Sequence, residues 1–146
     1  MSHTNLLYHI VFATKERAPL ITDALSPRPH EYLGGIVRNL KGTALEINGM
    51  TDHIHLLVIL PPTCCLSDFI SKLKANSSSW AKTQTIGRFA WQDRYGAFTV
   101  SESQVKRVRC YIRNQQEHHR KMTFQDEYIA LLRAKRIDFD EAHLWT

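Results

Sequence analysis

The stretch DHIHLLVIL, residues 52–60, decides how the middle of this 146-residue chain folds. It is apolar and rich in branched residues, which predicts a β-strand over His53–Leu60. Side chains alternate between the two faces of a strand, so His53 and His55 share one face. The opposite face, which we expect to meet the core, carries Ile54, Leu56, Val58 and Leu60. Two imidazoles side by side on a rigid strand can hold one divalent metal ion; the alternative is two polar residues on the open face of a sheet.

The segments on either side of this strand alternate between strand and helix patterns. We predict strands over 6–14 and 43–50, with a hairpin at Thr51-Asp52, and one or two short strands within 87–100. Apolar residues at helical spacing predict helices over 30–41, 66–82, 102–120 and 124–134. The order is typical of an α+β fold: a ferredoxin-like antiparallel sheet with helices packed on it, and a single domain over residues 1–146.

The composition narrows the class of protein. Hydrophobic residues make up 43% of the chain, which excludes a disordered protein. No apolar run approaches the roughly 18 residues of a membrane span, and the N-terminus lacks a signal-peptide pattern. Three cysteines, two of them adjacent in sequence, favour a reducing cytoplasm. The formal charge of +5 is compatible with a polyanionic partner.

The predicted helix over 102–120 carries a second group of candidate residues. Tyr111 and Gln115 are four residues apart, which places them on one helical face beside the expected buried stripe. A tyrosine at such a boundary can pack its ring and keep its hydroxyl available. Taken alone, the pattern of this helix favours a structural role for Tyr111 over a catalytic one.

Several motifs in this order resemble the single-tyrosine HUH transposases of bacterial insertion sequences, the IS200-like transposase family. The resemblance runs over nearly the whole chain. It rests on YHIVFATK from Tyr8, HIHLL from His53, FAWQ from Phe89, VSES from Val100, YIRNQ from Tyr111, and EHH at 117–119.

The resemblance implies a function and a site. Tyr111 would attack a DNA phosphodiester, while His53, His55 and Gln115 would hold Mg²⁺ or Mn²⁺. The enzyme would cut and rejoin single-stranded DNA through a covalent phosphotyrosine, recognise hairpin ends, and work as a homodimer. A metal ion is needed because a free tyrosine has a pKa near 10 and is a poor nucleophile at neutral pH.

Other polar residues are weaker candidates. Basic side chains that could follow a DNA backbone are Lys72, Lys74, Lys82, Arg88, Arg109 and Arg113; the alternative is a solvated surface. His9, His118 and His119 have no partner spacing of their own, although His9 could approach the site if its strand neighbours that of His53.

Four alternatives follow from the same residues. A histidine-triad hydrolase needs a third histidine at position 57, where Leu57 stands. A two-histidine phosphoesterase needs two separated His-x-Ser/Thr motifs, and neither His53 nor His55 starts one. A non-catalytic ferredoxin-like nucleic-acid-binding protein would need neither Tyr111 nor the histidine pair. A domesticated relative acting on repeated palindromes would keep the same residues.

Overall fold

The computed structural model describes residues 2–22, 28–84 and 88–145. Four antiparallel strands, β1 (Leu6–Ala13), β2 (Thr43–Gly49), β3 (His53–Leu60) and β4 (Gly96–Thr99), form one sheet in the spatial order β2-β3-β1-β4. The α-helices of the described residues are α1 (Arg28–Asn39), α2 (Leu66–Gln84), α3 (Val105–Arg113), α4 (Gln115–His118) and α5 (Phe124–Ala134). This arrangement is the ferredoxin-like α+β fold, so the predicted fold class is confirmed.

One face of the sheet meets α1 and α2. The apolar residues of β3 predicted for the core face are all buried there, together with Ile10 and Phe12 of β1. The two helices contribute Leu33, Ile36 and Val37, and Phe69, Ile70 and Leu73. Apolar stripes at a spacing of three to four residues make this helix–sheet contact possible.

The other face of the sheet is covered as well. Val11, Ala13 and Phe98 pack there against Phe124, Tyr128 and Leu132 of α5. His53 and His55 lie beneath these C-terminal helices and are both 0% exposed. The histidine face of β3 is therefore a closed interior, and the alternative of an open polar face is wrong.

The prediction of one continuous helix over 102–120 is also wrong. The chain forms a 3-10 turn at Glu102–Gln104, then α3, then α4, with a break at Asn114, whose φ and ψ are −97° and 25°. Asn48 of β2 explains the break, because its Nδ2 donates to the carbonyl oxygens of Ile112 and Arg113, each at 3.0 Å. An uninterrupted α-helix would use those carbonyls for the amides of residues 116 and 117.

The segment predicted to hold one or two strands, 87–100, contains β4 and one isolated bridge between Trp91 and Thr14. Gly87 lies outside the described residues. Cys64, Cys65 and Cys110 carry free thiols. Within the described ranges, no helix is both long and apolar enough to cross a membrane.

Candidate active site and metal centre

The two histidines of β3 lie next to β1. The antiparallel register sets His55 opposite Val11 and His53 opposite Ala13. His9 is on the same face of β1 as Val11, and its Nε2 is 2.9 Å from Nδ1 of His55. The shared face of His53 and His55 is therefore confirmed, and β1 adds a third histidine to it.

Tyr111 and Gln115 reach this face from α3 and α4. The Tyr111 ring lies 5.7 Å from that of His55 between centroids. Gln115 is fully buried, and its Oε1 is 2.9 Å from Nε2 of His53. Asn48 kinks the chain between α3 and α4, and the two helices bring Tyr111 and Gln115 to the same site.

The carboxylate of Glu127, on α5, is the centre of the cluster. It is 1% exposed. Its Oε1 is 3.0 Å from Nε2 of His55, 3.0 Å from Nε2 of His119 and 3.4 Å from Nε2 of His53. Three imidazoles from two parts of the chain therefore converge on one carboxylate oxygen.

The second oxygen of Glu127 faces the tyrosine. Its Oε2 accepts a hydrogen bond from Nε2 of Gln115 at 3.0 Å and a short one from the Tyr111 hydroxyl. One carboxylate thus connects the histidine cluster on its Oε1 side with the tyrosine on its Oε2 side.

The outer nitrogens of two histidines fix their tautomers. Nδ1 of His119 lies 2.7 Å from the carbonyl oxygen of Met122, and Nδ1 of His53 lies 2.8 Å from Oδ1 of Asp52. Both oxygens only accept, so both Nδ1 atoms must donate. In the neutral imidazole, Nε2 of each ring then carries a lone pair that points into the cluster.

These inward lone pairs face further lone pairs. Nε2 of His53 and Nε2 of His119 lie 2.9 and 3.0 Å from Oε1 of Gln115, and both also face Glu127. The Gln115 amide cannot turn round without loss, because its NH₂ group donates to Glu127. Electron-pair donors aimed at one another repel unless a proton or a metal cation lies among them, so the donor set fits a cation site.

The donor types suit a divalent metal. Ligand atoms of His53, His119 and Glu127 lie within 4.8 Å of one another, a spacing that one ion can bridge. Carboxylate and amide oxygens suit Mg²⁺ and Mn²⁺, and imidazole nitrogens also bind several transition metals. His55 lies beside this group through its 3.0 Å contact with Glu127.

Burial and hydrogen bonding determine the charges in the site. Burial, followed by the hydrogen bond to Glu127 and its negative charge, raises the pKa of Tyr111 well above its ordinary value. Burial alone would raise the pKa of Glu127, but hydrogen bonds from His55, Tyr111 and Gln115 hold it well below its usual range. Burial, with the neighbouring His55, lowers the pKa of His9 to about 3. The site therefore holds a protonated phenol, an ionised carboxylate and a neutral His9.

His118 lies on the tyrosine side of the cluster. Its Nε2 is 3.4 Å from Oε2 of Glu127, and its ring centroid is 5.3 Å from that of Tyr111. This nitrogen is buried, and the described residues offer it no hydrogen-bond partner. His118 is thus placed to accept or deliver a hydrogen bond beside the tyrosine hydroxyl.

The six basic residues predicted to bind DNA do not lie together at the site. Arg109 and Arg113 form ion pairs with Glu46 of β2, at 3.5 and 2.7 Å. The Lys74 ammonium donates to the backbone oxygens of residues 92 and 94 at 2.8 and 2.9 Å. The other three, Lys72, Lys82 and Arg88, are exposed. Contact of any of the six with DNA stays a prediction.

Sequence reasoning missed Glu127 and gave His9 and His119 little weight. Glu127 was part of a predicted helix, where an acidic side chain is ordinarily solvated. One feature of the sequence could have identified Glu127 as buried: it lies beside Phe124, Tyr128 and Leu132, on the apolar stripe of that helix. A charged residue within an apolar stripe is rarely buried without a partner.

Comparison with known proteins shows which family this chain resembles. Residues 2–115 match the family model for IS200-like transposases, which leaves Glu127 and His119 outside the matched range. The transposase of insertion sequence element IS200 from Salmonella typhimurium is 32% identical over 130 residues, covering 80% of this chain and 82% of that protein. The ISDra2 transposase TnpA from Deinococcus radiodurans is 25% identical over 119 residues, covering 77% and 85%.

Two solved structures share the fold. A crystal structure of a protein assigned as a transposase, from Deinococcus radiodurans R1, superposes with a TM-score of 0.64 and 26% identity over 78% of this chain and 93% of that one. A REP-associated tyrosine transposase bound to a REP hairpin superposes with a TM-score of 0.63 at 12% identity, over 82% and 74%, and shows likeness of fold alone. Because the family model covers residues 2–115 of the 146, this chain belongs to the IS200-like transposase family.

Proposed function

We propose that this transposase cuts and rejoins single-stranded DNA through a covalent link to Tyr111. One observation carries the proposal: the Tyr111 hydroxyl and the histidines of the HIH motif contact the same buried carboxylate, that of Glu127. A nucleophile and a cation-binding donor set that share one ligand can act on one phosphate group.

The chemistry is a transesterification. The Tyr111 oxygen attacks the phosphorus of a DNA phosphodiester, and the bond between phosphorus and the 3′ oxygen breaks. The hydroxyl proton passes to its hydrogen-bond acceptor, Oε2 of Glu127, and the leaving oxygen takes up a proton to give a free 3′-OH. The 5′ phosphate stays on Tyr111, so attack by another 3′-OH rejoins DNA without an external energy source.

The residues that would hold Mg²⁺ or Mn²⁺ are His53, His55 and Gln115, joined by His119 and Glu127. When bound, the ion neutralises charge that develops on the phosphate. Glu127 orients the phenol, and the neutral His9 holds the His55 ring in place through their contact at 2.9 Å. His118 stands beside the reacting oxygen.

We also propose a DNA hairpin as the substrate and a second copy of this chain as the protein partner. The REP-associated transposase of the same fold is bound to a REP hairpin, which supports a single DNA strand with a hairpin as the substrate here. A homodimer would hold two DNA ends at once, and two-fold pairing is the commonest route to two sites. The Tyr111 hydroxyl contacts Glu127 of its own chain, and mixing two inactive chains tests whether the subunits of such a dimer share their sites.

Covalent trapping tests the proposal. The protein is incubated with labelled single-stranded DNA from the flanks of its own gene and Mn²⁺, and the adduct is detected in a denaturing gel. Tyr111→Phe keeps the ring and removes the nucleophile, and should abolish the adduct while DNA binding is retained. Tyr128→Phe, which alters a tyrosine outside the cluster, is the matched control. An undiminished adduct with Tyr111→Phe would show that another residue attacks the DNA.

A further inference from the structure

A groove beside α3 opens onto the tyrosine. Its volume is about 590 Å³, and Tyr111 and His9 form part of its wall. The rest comes from the segment after β4, including Ser101 and Gln104, and from the end of α5. A phosphodiester can therefore reach the Tyr111 side chain through this groove.

The charge of the groove is positive. Arg107 and Lys135 line it from opposite sides, and no acidic residue is among its lining. Both side chains are exposed, and neither forms an ion pair with any described residue. Glu102, the acidic residue nearest to Arg107 in sequence, accepts a hydrogen bond from Asn5 at 2.8 Å. Two cations without partners beside a nucleophile fit the phosphates of a nucleic-acid strand.

Two other basic residues of α3 have a partner. Arg109 and Arg113 share the carboxylate of Glu46 on β2, which ties this side of the helix to the sheet. Arg107 has no such partner and lies in the wall of the groove, beside Tyr111.

The size of the groove limits what it can hold. Cavities of roughly 300–1,000 Å³ enclose one drug-sized molecule. A groove in this range takes a short stretch of a single strand, and a duplex is too wide for it. Val108 and Leu131 in its wall offer apolar surface to a sugar or base.

We infer that this groove is the path of the scissile DNA strand, with Arg107 and Lys135 binding the phosphates on either side of the bond that Tyr111 attacks. The inference rests on the proposed function, and it names residues outside the six basic residues expected from the sequence. Contacts to phosphates position a strand without reading its sequence, so the groove should accept any base.

Binding of oligothymidylate, which forms no hairpin, tests the groove. Fluorescence anisotropy is measured over a range of salt concentrations in the Tyr111→Phe chain, which cannot trap the DNA. Arg107→Gln and Lys135→Gln should each weaken binding about two- to fivefold, as loss of an exposed charge contact does. Each should also lower the slope of log affinity against log salt by about 0.7, the value for one phosphate contact on a single strand.

Two control variants each remove one positive charge close in sequence to a tested residue. Lys106→Gln and Arg133→Gln change exposed residues that do not line the groove, and should leave the affinity and the salt slope nearly unchanged. If all four variants weaken binding equally, the attraction is diffuse and the groove is not the path. Unchanged binding in Arg107→Gln and Lys135→Gln also overturns the inference.

Adduct formation by the otherwise wild-type chain separates the two proposals. If the wild type traps DNA and the Arg107→Gln, Lys135→Gln double variant traps it at the same rate, the groove is wrong and the proposed function stands. If the wild type forms no adduct, the proposed function fails, while the binding data still decide the groove. Thermal unfolding of each variant confirms that the fold is intact.

Discussion

Replacing Glu127 with glutamine separates a structural role of this residue from a metal-binding one. The amide has the shape of the carboxylate but no charge. Its oxygen can face the donors from Tyr111 and Gln115, and its NH₂ group then faces the inward lone pairs of His53 and His119. Two bonds to a charged acceptor become bonds to a neutral one, and the bond that Nε2 of His55 donates to Oε1 is lost, each at a cost of about 1 kcal/mol.

Two new bonds offset that cost. The NH₂ group donates to two imidazole nitrogens that no hydrogen reaches in the wild-type arrangement, and a buried hydrogen bond contributes about 1 kcal/mol. Removal of a buried negative charge also avoids a desolvation penalty. Without metal, the free energy of unfolding of Glu127→Gln should therefore lie within about 2 kcal/mol of the wild-type value.

With metal, the two chains should differ. At a Mn²⁺ concentration of 100 times its Kd, binding adds about 2.7 kcal/mol to the free energy of unfolding of the wild type. For a domain of this size that is about 10 °C in Tm. If loss of the carboxylate weakens the site about a hundredfold, the same Mn²⁺ concentration adds only about 0.4 kcal/mol, or between about 1 and 2 °C.

The assay is thermal unfolding followed by circular dichroism, with EDTA and with Mn²⁺. Asp126→Asn is the matched control, because it removes an exposed carboxylate one residue away on the same helix and should keep the full shift. An equal Mn²⁺ shift in Glu127→Gln and in the wild type would refute the assignment of Glu127 as a ligand. A large loss of stability in EDTA would refute the tautomers deduced for the two histidines.

Three further predictions concern the assembly of the site. Asn48→Ala leaves two helix carbonyls without their donor, so the free energy of unfolding measured in urea should fall by about 1–3 kcal/mol. Adduct formation should also slow, because Gln115 shifts. Wild-type stability in this variant would contradict the origin given for the kink. A mixture of Tyr111→Phe and His53→Ala chains should recover no cleavage, even when heterodimers are shown to form, whereas recovery would mean that sites are shared between subunits. Lys74→Met keeps the packing of the side-chain stem but loses two hydrogen bonds to backbone carbonyls, so Tm should fall. Its affinity for oligothymidylate should stay within about twofold of the wild-type value, and a larger loss would assign Lys74 to the DNA-binding surface.

The sequence alone determined the local features of the fold. The alternation of side chains along β3 was sufficient to place His53 and His55 on one face, and the apolar spacing was sufficient to predict most helices. These patterns are short-range, since they depend on the geometry of a single strand or helix. They also predicted that β3 has an apolar face toward the core and a separate face that carries the histidines, as the structure shows.

Only the tertiary structure decided what meets the histidines. Glu127 is 72 residues from His55 in the chain, and no periodicity connects positions so far apart. The break between α3 and α4 depends on Asn48, 64 residues before Ile112. Packing of α5 against the second face of the sheet buries Glu127, and a buried carboxylate must find partners because water no longer solvates it. The shared face of His53 and His55 could therefore be predicted locally, whereas the carboxylate that contacts both histidines and Tyr111 follows from long-range packing.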